Sequence, residues 1–357
     1  MKRSIWASLI AAGSASLLAA CGSHATPSAK PTTTHPQAQT SSPAPASGNV
    51  DPLTDLASPQ HGPLVALMIE NSEYGRPQYG LSSADVVYEA YTEFFYYPRF
   101  LLLYYGHAPK LAGPDRSARP YFVSLVHQWP GAAYFHAGAS TPAYTTITQD
   151  NIHNMDLDAN AYNLGTRVSF RPAPHNLFTN IGTDMQAAQK IWGNSGVKAP
   201  WPFVSHVTSG TPKDTSITLS WNSHNSVEQW RWDSQAQGWT RWVDNPDAGT
   251  GFQQVMGMNS GKPVLAGNVI IEYTNEQYLY DPAHTGWIQI QTHGQGNALL
   301  FLGHRQYSGT WKNAGPGQPT KFYLPNGQLA PFNPGPTWIE LVPNSQSAAN
   351  SFKLTLQ

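Results

Sequence analysis

The 357-residue chain is short of charge, since lysine, arginine, aspartate and glutamate make up 11% of it, under half of the ~25% usual in soluble proteins. Twenty basic and 21 acidic residues leave a formal net charge of -1. Proteins that hold nucleic acid need a surplus of lysine and arginine for phosphate contacts. The composition therefore excludes a polybasic nucleic-acid-binding protein, and it argues against a long coiled coil or a charge-rich disordered chain.

Cysteine occurs once, as Cys21, which excludes an intrachain disulfide. Neither H-E-x-x-H nor H-x-H spacing occurs, so the sequence predicts no metal site and no cofactor. The aromatic content is high at 12%, and glycine and proline number 30 each. These residues supply enough apolar surface for a substantial core.

The first 20 residues have the pattern of a signal peptide. Lys2 and Arg3 precede residues 5–20, which are uncharged and apolar or small, a stretch too short for a membrane span of ~20 apolar residues. The stretch ends Leu18-Ala19-Ala20-Cys21, which matches a bacterial lipobox. The sequence predicts cleavage before Cys21, lipidation of its thiol and anchoring on the extracytoplasmic face of the cell membrane. The alternative is an ordinary secreted protein with an incidental cysteine.

Residues 21–50 are predicted to be the lipidated cysteine and a tether. Positions 22–50 hold ten serine or threonine residues, five prolines and a single charge, Lys30. Such a segment cannot bury enough surface to offset its ordering entropy, and proline keeps it extended. We expect it to hold a globular body away from the membrane.

The remaining chain predicts an α+β fold, with a layered mixed α/β domain at 51–200 and a β-rich domain at 201–357. In the first domain, residues 64–69 form an apolar run typical of a buried strand, and residues 85–93 and 99–105 are predicted to form a hairpin. A further strand is predicted at 132–135. The predicted helices run from a Ser117 cap to about Trp129, from a Ser140 cap to about Asp150, and over 176–192.

Beyond residue 200 the helical periodicity nearly vanishes. Short apolar or alternating segments separated by glycine, asparagine, aspartate and proline predict a curled sheet or a small barrel. The predicted strands are 215–219, 227–232, 239–243, 268–273, 287–292, 298–302 and 337–342.

Several segments resemble the YerB-type lipoproteins, a family built from two domains of unknown function. In the N-terminal part they are residues 68–71 (MIEN), 76–81 (RPQYGL), 84–89 (ADVVYE), 113–120 (GPDRSARP), 136–140 (HAGAS) and 173–177 (APHNL); in the C-terminal part they are 267–271 (GNVII), 294–298 (GQGNA), 309–311 (GTW) and 336–338 (PTW).

The resemblance covers residues 50–345 and implies an envelope lipoprotein with an α/β domain followed by a β-rich domain. It implies no defined activity. One departure is in the loop after strand 239–243, where the resemblance leads us to expect a histidine. This chain has residues 245–249, NPDAG, at that place.

Arginine outnumbers lysine six to three in residues 51–200, which favours fixed bidentate contacts with carboxylate or phosphate. Arg116 and Arg119 are three residues apart at a predicted helix start, so they are expected on one face, where the helix N-terminus adds positive potential. The alternative is a structural network of ion pairs with glutamate and aspartate. Arg76 and Arg99 are further candidate ligand-binding residues.

Two histidines are the candidate titrating groups. His136 ends a predicted strand before the turn to Ser140, where a ligand would reach the helix start, and His175 precedes Asn176, the predicted cap of the third helix. With Glu89 these histidines would form an acid–base set. The alternative is that the turn from His136 to Ser140 has only a structural role, in which Ser140 caps its helix and no ligand binds.

Three functions remain open from the sequence. The first is a surface-tethered protein that binds an anionic or cell-wall-derived ligand in a cleft of the N-terminal domain. The second is an envelope hydrolase or transferase that uses His136 and His175. The third is a structural partner of an envelope complex whose protein partner is unknown. Trp230 and Trp232 in the β-rich domain would either stack on sugar rings or belong to the hairpin core.

Overall fold

The computed structural model describes residues 49–58, 62–159, 161–207, 209–212, 216–222, 226–245, 248–280 and 284–357. The predicted signal peptide, Cys21 and nearly all of the tether lie outside the described residues. The described residues belong to one compact unit. In the described part of the chain, no helix has both the length and the apolar composition needed to cross a membrane.

The strands of the described residues confirm the predicted mixture of strand and helix. Their bounds are β1 Val65–Glu70, β2 Val86–Tyr91, β3 Pro98–Tyr104, β4 Ala133–His136, β5 His153–Asp156, β6 Thr166–Arg167, β7 Leu177–Phe178, β8 Thr211–Pro212, β9 Ile217–Asn222, β10 Ser226–Asp233, β11 Gly238–Asp244, β12 Gln253–Gln254, β13 Leu265–Ala266, β14 Asn268–Thr274, β15 Glu276–Tyr278, β16 Ile288–Ile290, β17 Gly294–Leu302, β18 Arg305–Asn313, β19 Lys321–Tyr323, β20 Thr337–Pro343 and β21 Lys353–Leu356.

Three α-helices accompany them: α1 Pro120–His127, α2 Thr141–Gln149 and α3 Ile181–Trp192. The predicted cap of α2 is confirmed, because the Ser140 side chain accepts a hydrogen bond from the backbone N–H of Ala143. The fold class is therefore α+β, with a β-rich C-terminal region.

The predicted start of α1 at Ser117 is wrong. Arg119 has extended backbone angles and precedes Pro120, the first helical residue, and a residue before proline is disfavoured in the helical region. Ala118 bridges Ala139 in parallel, so the chain remains extended past Ser117. Arg116 and Arg119 therefore do not share a helix face.

The predicted start of α3 at Asn176 is also wrong. Residues 177–178 form β7, which pairs with β6 in a two-stranded ribbon. Asn180 caps the helix instead, since its side chain accepts from the N–H of Thr183. The N-cap of α3 is therefore an asparagine, as predicted, but it lies four residues further along the chain.

One open sheet contains strands from both halves of the chain. Its order is β19-β18-β17-β14-β20-β2-β3-β1-β4-β5, and β8 pairs with β18. The C-terminal strand β20 lies between β14 and β2 and is parallel to both. The division of the chain at about residue 200 stays a prediction, while the sheet itself is continuous across that point.

A second sheet has the order β12-β11-β10-β9-β21, with β13 on β11. The C-terminal strands thus form parts of two open sheets, so of the two predicted forms, a curled sheet or a small barrel, the barrel is wrong. Indole packing joins the sheets, with Trp230 against Trp338 at 4.9 Å and Trp239 against Phe301 at 5.6 Å between ring centroids. The interpretation of Trp230 as hairpin core is confirmed by its complete burial, and Trp232 packs on Trp239 and stacks on His304.

Candidate functional site

A buried charge cluster lies where the two sheets meet. Its centre is Arg241 on β11, whose side chain is 1% exposed. The guanidinium lies 2.8 Å from a Glu89 carboxylate oxygen on β2, 2.5 Å from Glu228 on β10 and 3.5 Å from Glu340 on β20. Burying one cation and three carboxyl groups is costly unless they pair with one another. The charge of Arg241 therefore holds strands of both sheets together.

Strand register places these four side chains. Trp230 is opposite Arg241 in the β10–β11 hairpin, and Glu228 is two residues before Trp230, so all three share a face. Glu89 is opposite Glu340 in the parallel β2–β20 pair. The same two pairings therefore bring the carboxyl groups onto the guanidinium.

Aromatic rings and amides complete the cluster. The Arg241 guanidinium carbon lies 5.1 Å from the ring centroid of Phe100 and 4.8 Å from that of Trp338, within the range of cation–π attraction. Asn71 donates to Glu89 at 2.6 Å and to Glu228 at 2.7 Å. These contacts supply hydrogen bonds that a buried carboxyl group needs.

The three glutamates hold their protons differently. Burial opposes ionisation of Glu228, but the charges of Arg241 and Arg76 outweigh it and hold the pKa of Glu228 below its usual range. Burial dominates for Glu89, whose pKa lies well above its usual range. Burial also raises the pKa of Glu340, to about 7. The arginines therefore favour the carboxylate form of Glu228, whereas burial favours the protonated forms of Glu89 and Glu340.

A cavity of about 500 Å³ opens beside this cluster. Arg76, Asn71, Gln78 and Arg241 line one side, and residues 243–258 supply much of the other. Arg76 is 14% exposed and lies 3.5 Å from Glu228. Its Nε and one terminal nitrogen donate to the Asn71 amide oxygen at 3.3 and 3.2 Å. No residue in the described ranges accepts a hydrogen bond from its other terminal nitrogen.

A second, partly exposed cluster adjoins the cavity through Gln78, which donates to the Glu70 backbone carbonyl. The Glu70 carboxylate accepts from Arg116 at 2.8 Å, from Nδ1 of His175 at 2.8 Å and from the Ser72 hydroxyl at 2.6 Å. Burial opposes ionisation of Glu70, yet the hydrogen bond and charge of Arg116 lower its pKa. Arg116 and His175, predicted to share a site, do lie together, but they surround a glutamate.

Arg99 and Arg119 lie in a third cluster, around a different glutamate. Both pair with Glu93, Arg99 at 3.8 Å and Arg119 in a direct charge-assisted contact. Ser140 lies near Arg119 around the same small hollow. The four candidate arginines therefore lie in three separate clusters, and each of them has a carboxylate partner. This arrangement agrees with the alternative prediction, a structural network of ion pairs.

The predicted acid–base set is not assembled. His136 is completely buried, with Nδ1 2.7 Å from the Gly138 carbonyl and Nε2 2.6 Å from the Asn154 amide oxygen. Both ring nitrogens are therefore occupied inside the protein. Glu89 contacts Arg241 and Asn71, whereas His175 contacts Glu70, so the three predicted residues have separate partners. Asn176 accepts from Arg167 in place of capping a helix.

The sequence analysis missed Glu228, Arg241 and Glu340. A signal for two of them was present, because Glu228 precedes a predicted core tryptophan by two residues and so shares its face. A glutamate on a predicted core face demands a buried partner. Arg241 is the cation at the facing position of the predicted hairpin. Glu340, in contrast, could be placed only from the strand order.

The fold and the buried cluster define a class of α+β protein in which two sheets are joined through a central arginine. The family model described as "Protein of unknown function (DUF3048) N-terminal domain" matches residues 52–194. The model for the DUF3048 C-terminal domain matches residues 217–339. This chain belongs to the DUF3048 family, and the resemblance found in the sequence is confirmed.

Relatives agree with this assignment. The chain is 29% identical over 311 residues to "Putative lipoprotein YerB" of Bacillus subtilis (strain 168), with 84% of this chain and 88% of the relative covered. It is also similar to the crystal structure of the YerB protein from Bacillus subtilis, with a TM-score of 0.72 and 27% identity. That match covers 85% of this chain and 99% of the other.

Proposed function

We propose that this chain is a lipid-anchored envelope protein that binds an anionic, cell-wall-derived ligand in the cavity beside Arg76. The observation that carries the proposal is a cavity of about 500 Å³ with Arg76, Asn71 and Gln78 on one side. Arginine presents a planar fork of donors suited to carboxylate and phosphate. The predicted binding function is retained, and its location moves from the Arg116–His136 region to the Arg76 cavity.

Two arginines beside the cavity support an anionic ligand, and Glu73 is the acidic residue that lines the same cavity. Arg76 and Arg241 contribute two positive charges, while Glu228 is the glutamate whose pKa is held low. Burial raises the pKa of Glu89 well above its usual range, which favours its uncharged form. A bound anion would be attracted at short range by the two guanidinium groups.

The predicted anchor rests on Cys21 and on the relative's description as a lipoprotein. Replacing Cys21 with serine removes the thiol that accepts the lipid. We expect Cys21→Ser to move the protein from the membrane fraction to the soluble or precursor fraction, because two or three acyl chains supply the membrane affinity. Cell fractionation with gel migration measures this. A variant that fractionates and migrates like the parent would exclude the lipid anchor.

Ligand binding is tested by thermal melting with three probes. N-acetylmuramic acid carries the carboxylate of a wall sugar, N-acetylglucosamine is its uncharged counterpart, and inorganic phosphate is a simple anion. We expect the first and third to raise the melting temperature by mass action, and the second to leave it unchanged. Arg76→Lys keeps the charge but loses the fork, and we expect it to weaken the apparent affinity by about tenfold or more.

Arg167 provides a matched control, because its side chain is 50% exposed and pairs with Asp158 at the surface. Arg167→Met should leave the response to all probes unchanged, since exposed ion pairs contribute little. An equal response to the uncharged sugar, or an Arg76→Lys variant that responds like the parent, would contradict the proposal. Turnover of purified cell-wall fragments, which contain the glycosidic bonds that a single sugar lacks, would favour the hydrolase or transferase alternative.

A further inference from the structure

Two carboxyl groups and an imidazole converge at the start of the described chain. Asp51 precedes the first strand, Asp85 immediately precedes β2, and His107 follows β3. One ligand atom from each lies within 4.8 Å of the other two. Asp51 and Asp85 are 0% and 1% exposed, whereas the His107 side chain is half-exposed. The three residues are far apart in the sequence, so only the tertiary structure brings them together.

The Asp51 carboxylate has one oxygen that lacks a partner. Its Oδ1 accepts from the N–H of Leu53 at 2.7 Å, but its buried Oδ2 has no hydrogen bond within the described residues. A buried carboxylate oxygen without a donor is costly. A cation is the partner that an acceptor-only group would take at this position.

The Asp85 carboxylate is fixed beside it. Its Oδ2 accepts from the backbone N–H groups of Tyr105 and Gly106 at 2.6 and 3.1 Å, which leaves Oδ1 facing Nδ1 of His107 at 3.4 Å. A Cβ atom at Gly106 would meet Asp51 Oδ2 at 2.1 Å, so only glycine leaves room for that oxygen. Backbone donors that orient a ligating carboxylate are the usual outer shell of a metal site.

We propose that Asp51, Asp85 and His107 bind one first-row divalent cation of the zinc or manganese type. Imidazole together with carboxylate is a donor set that such ions accept, whereas calcium and magnesium prefer oxygen donors alone. Because no two of the three ligand atoms are more than 4.8 Å apart, a point in their plane lies within about 2.8 Å of all three. Small side-chain rotations then bring the atoms to the ~2.0–2.2 Å of zinc bonds.

The ion has a route to the site. Asp85 and His107 line a cavity of about 450 Å³, together with Ser82 and Ser83. Water in that cavity would complete the coordination. A bound ion would join Asp51, which lies one residue after the predicted tether, to the ends of β2 and β3. The cation would therefore stabilise the attachment of the N-terminal segment to the sheet.

Without an ion, the two carboxylates repel each other. Asp51→Asn removes one charge and one metal ligand but keeps the acceptor for Leu53. It should therefore abolish the rise in melting temperature that metal causes.

The test uses the purified full chain after treatment with a chelator. Calorimetric titration with zinc chloride should show one site per chain, with a melting temperature that rises by mass action. His107→Ala should weaken zinc binding at least tenfold, and His206→Ala is the control because His206 is exposed. Manganese chloride should compete for the site.

Three outcomes would overturn the proposal. They are the absence of stoichiometric zinc and manganese binding, zinc binding that His107→Ala and Asp51→Asn leave unchanged, and tighter binding of calcium than of zinc. Because Asp51→Asn is measured first without metal, a folding defect appears as a lowered melting temperature before any zinc is added. His107→Ala gives an independent answer in that case, since the half-exposed His107 contributes little to the core.

Discussion

The protein should be more stable at pH 5 than at pH 8, by several kcal/mol in the free energy of unfolding. Buried carboxyl groups with raised pKa values cause this difference. Burial raises the pKa of Glu272 to about 8 and that of Asp184 to about 7, while Glu276 and Asp115 lie well above their usual range. These groups are protonated in the folded protein at pH 5.

The sign follows from proton binding. Between about pH 4.5 and 8 the folded state holds more protons on these groups than the unfolded state does, so the free energy of unfolding falls as pH rises. Their stabilising effect is complete below the pKa that these carboxyl groups have in the unfolded chain. It is lost as the pH rises through the pKa that they have in the folded protein. Glu70, Glu93, Asp156 and Glu228 have lowered pKa values and act in the opposite direction, but mainly below about pH 4.5.

Glu272→Gln tests the cause. Burial is what raises the pKa of Glu272, and glutamine has the same shape without the charge. The variant should match the parent at pH 5 and exceed it at pH 8, by an amount on the order of a few kcal/mol, since each pKa unit corresponds to ~1.4 kcal/mol. Denaturant unfolding at both pH values measures the difference.

Asp55→Asn is the control, because Asp55 is exposed and asparagine tolerates its positive φ of 55°. It should leave the difference between pH 5 and pH 8 unchanged. A parent protein that is more stable at pH 8 than at pH 5 would contradict the account.

Replacing Arg241 with methionine should cause the largest loss of stability of any single substitution discussed. The guanidinium is the shared partner of Glu89, Glu228 and Glu340, and its removal leaves ionised Glu228 buried with only Arg76 nearby, at 3.5 Å. Breaking a buried ion pair costs ~3–5 kcal/mol. Denaturant unfolding should show a loss of at least this size, or no folded protein.

A second substitution distinguishes two causes of the stability loss in Arg241→Met, namely an unpaired buried charge and poorer side-chain packing. Glu228→Gln in the Arg241→Met background removes the stranded charge and should recover part of the lost stability, which a simple packing defect would not allow. Arg231→Met is the matched control, because Arg231 is half-buried and stacks on Trp242 at 4.1 Å. It should cost ~1 kcal/mol or less. A double variant no better than Arg241→Met would refute the charge explanation.

Local patterns predicted much of the fold. The apolar run at 64–69 is β1, the segment 85–93 contains β2 of the predicted hairpin, and the predicted C-terminal strands are present in the described residues. The Ser140 cap was also correct. These features depend on side chains within a few residues of one another, so the sequence alone carries them. The starts of α1 and α3 were wrong because strand pairing competed with local helix signals at Ala118 and at residues 177–178.

For the candidate site too, part could be predicted from the sequence and part depended on the tertiary structure. From composition and spacing, the sequence by itself determined the α+β class, the signal and lipobox pattern, and the excess of arginine over lysine in residues 51–200. Only the tertiary structure decided which carboxylate each arginine meets, because the partners are distant along the chain. Arg241 and Glu89 are 152 positions apart, and the insertion of β20 between β14 and β2 brings Glu340 to them. Such contacts depend on the order of strands in a sheet, which no local pattern of residues specifies.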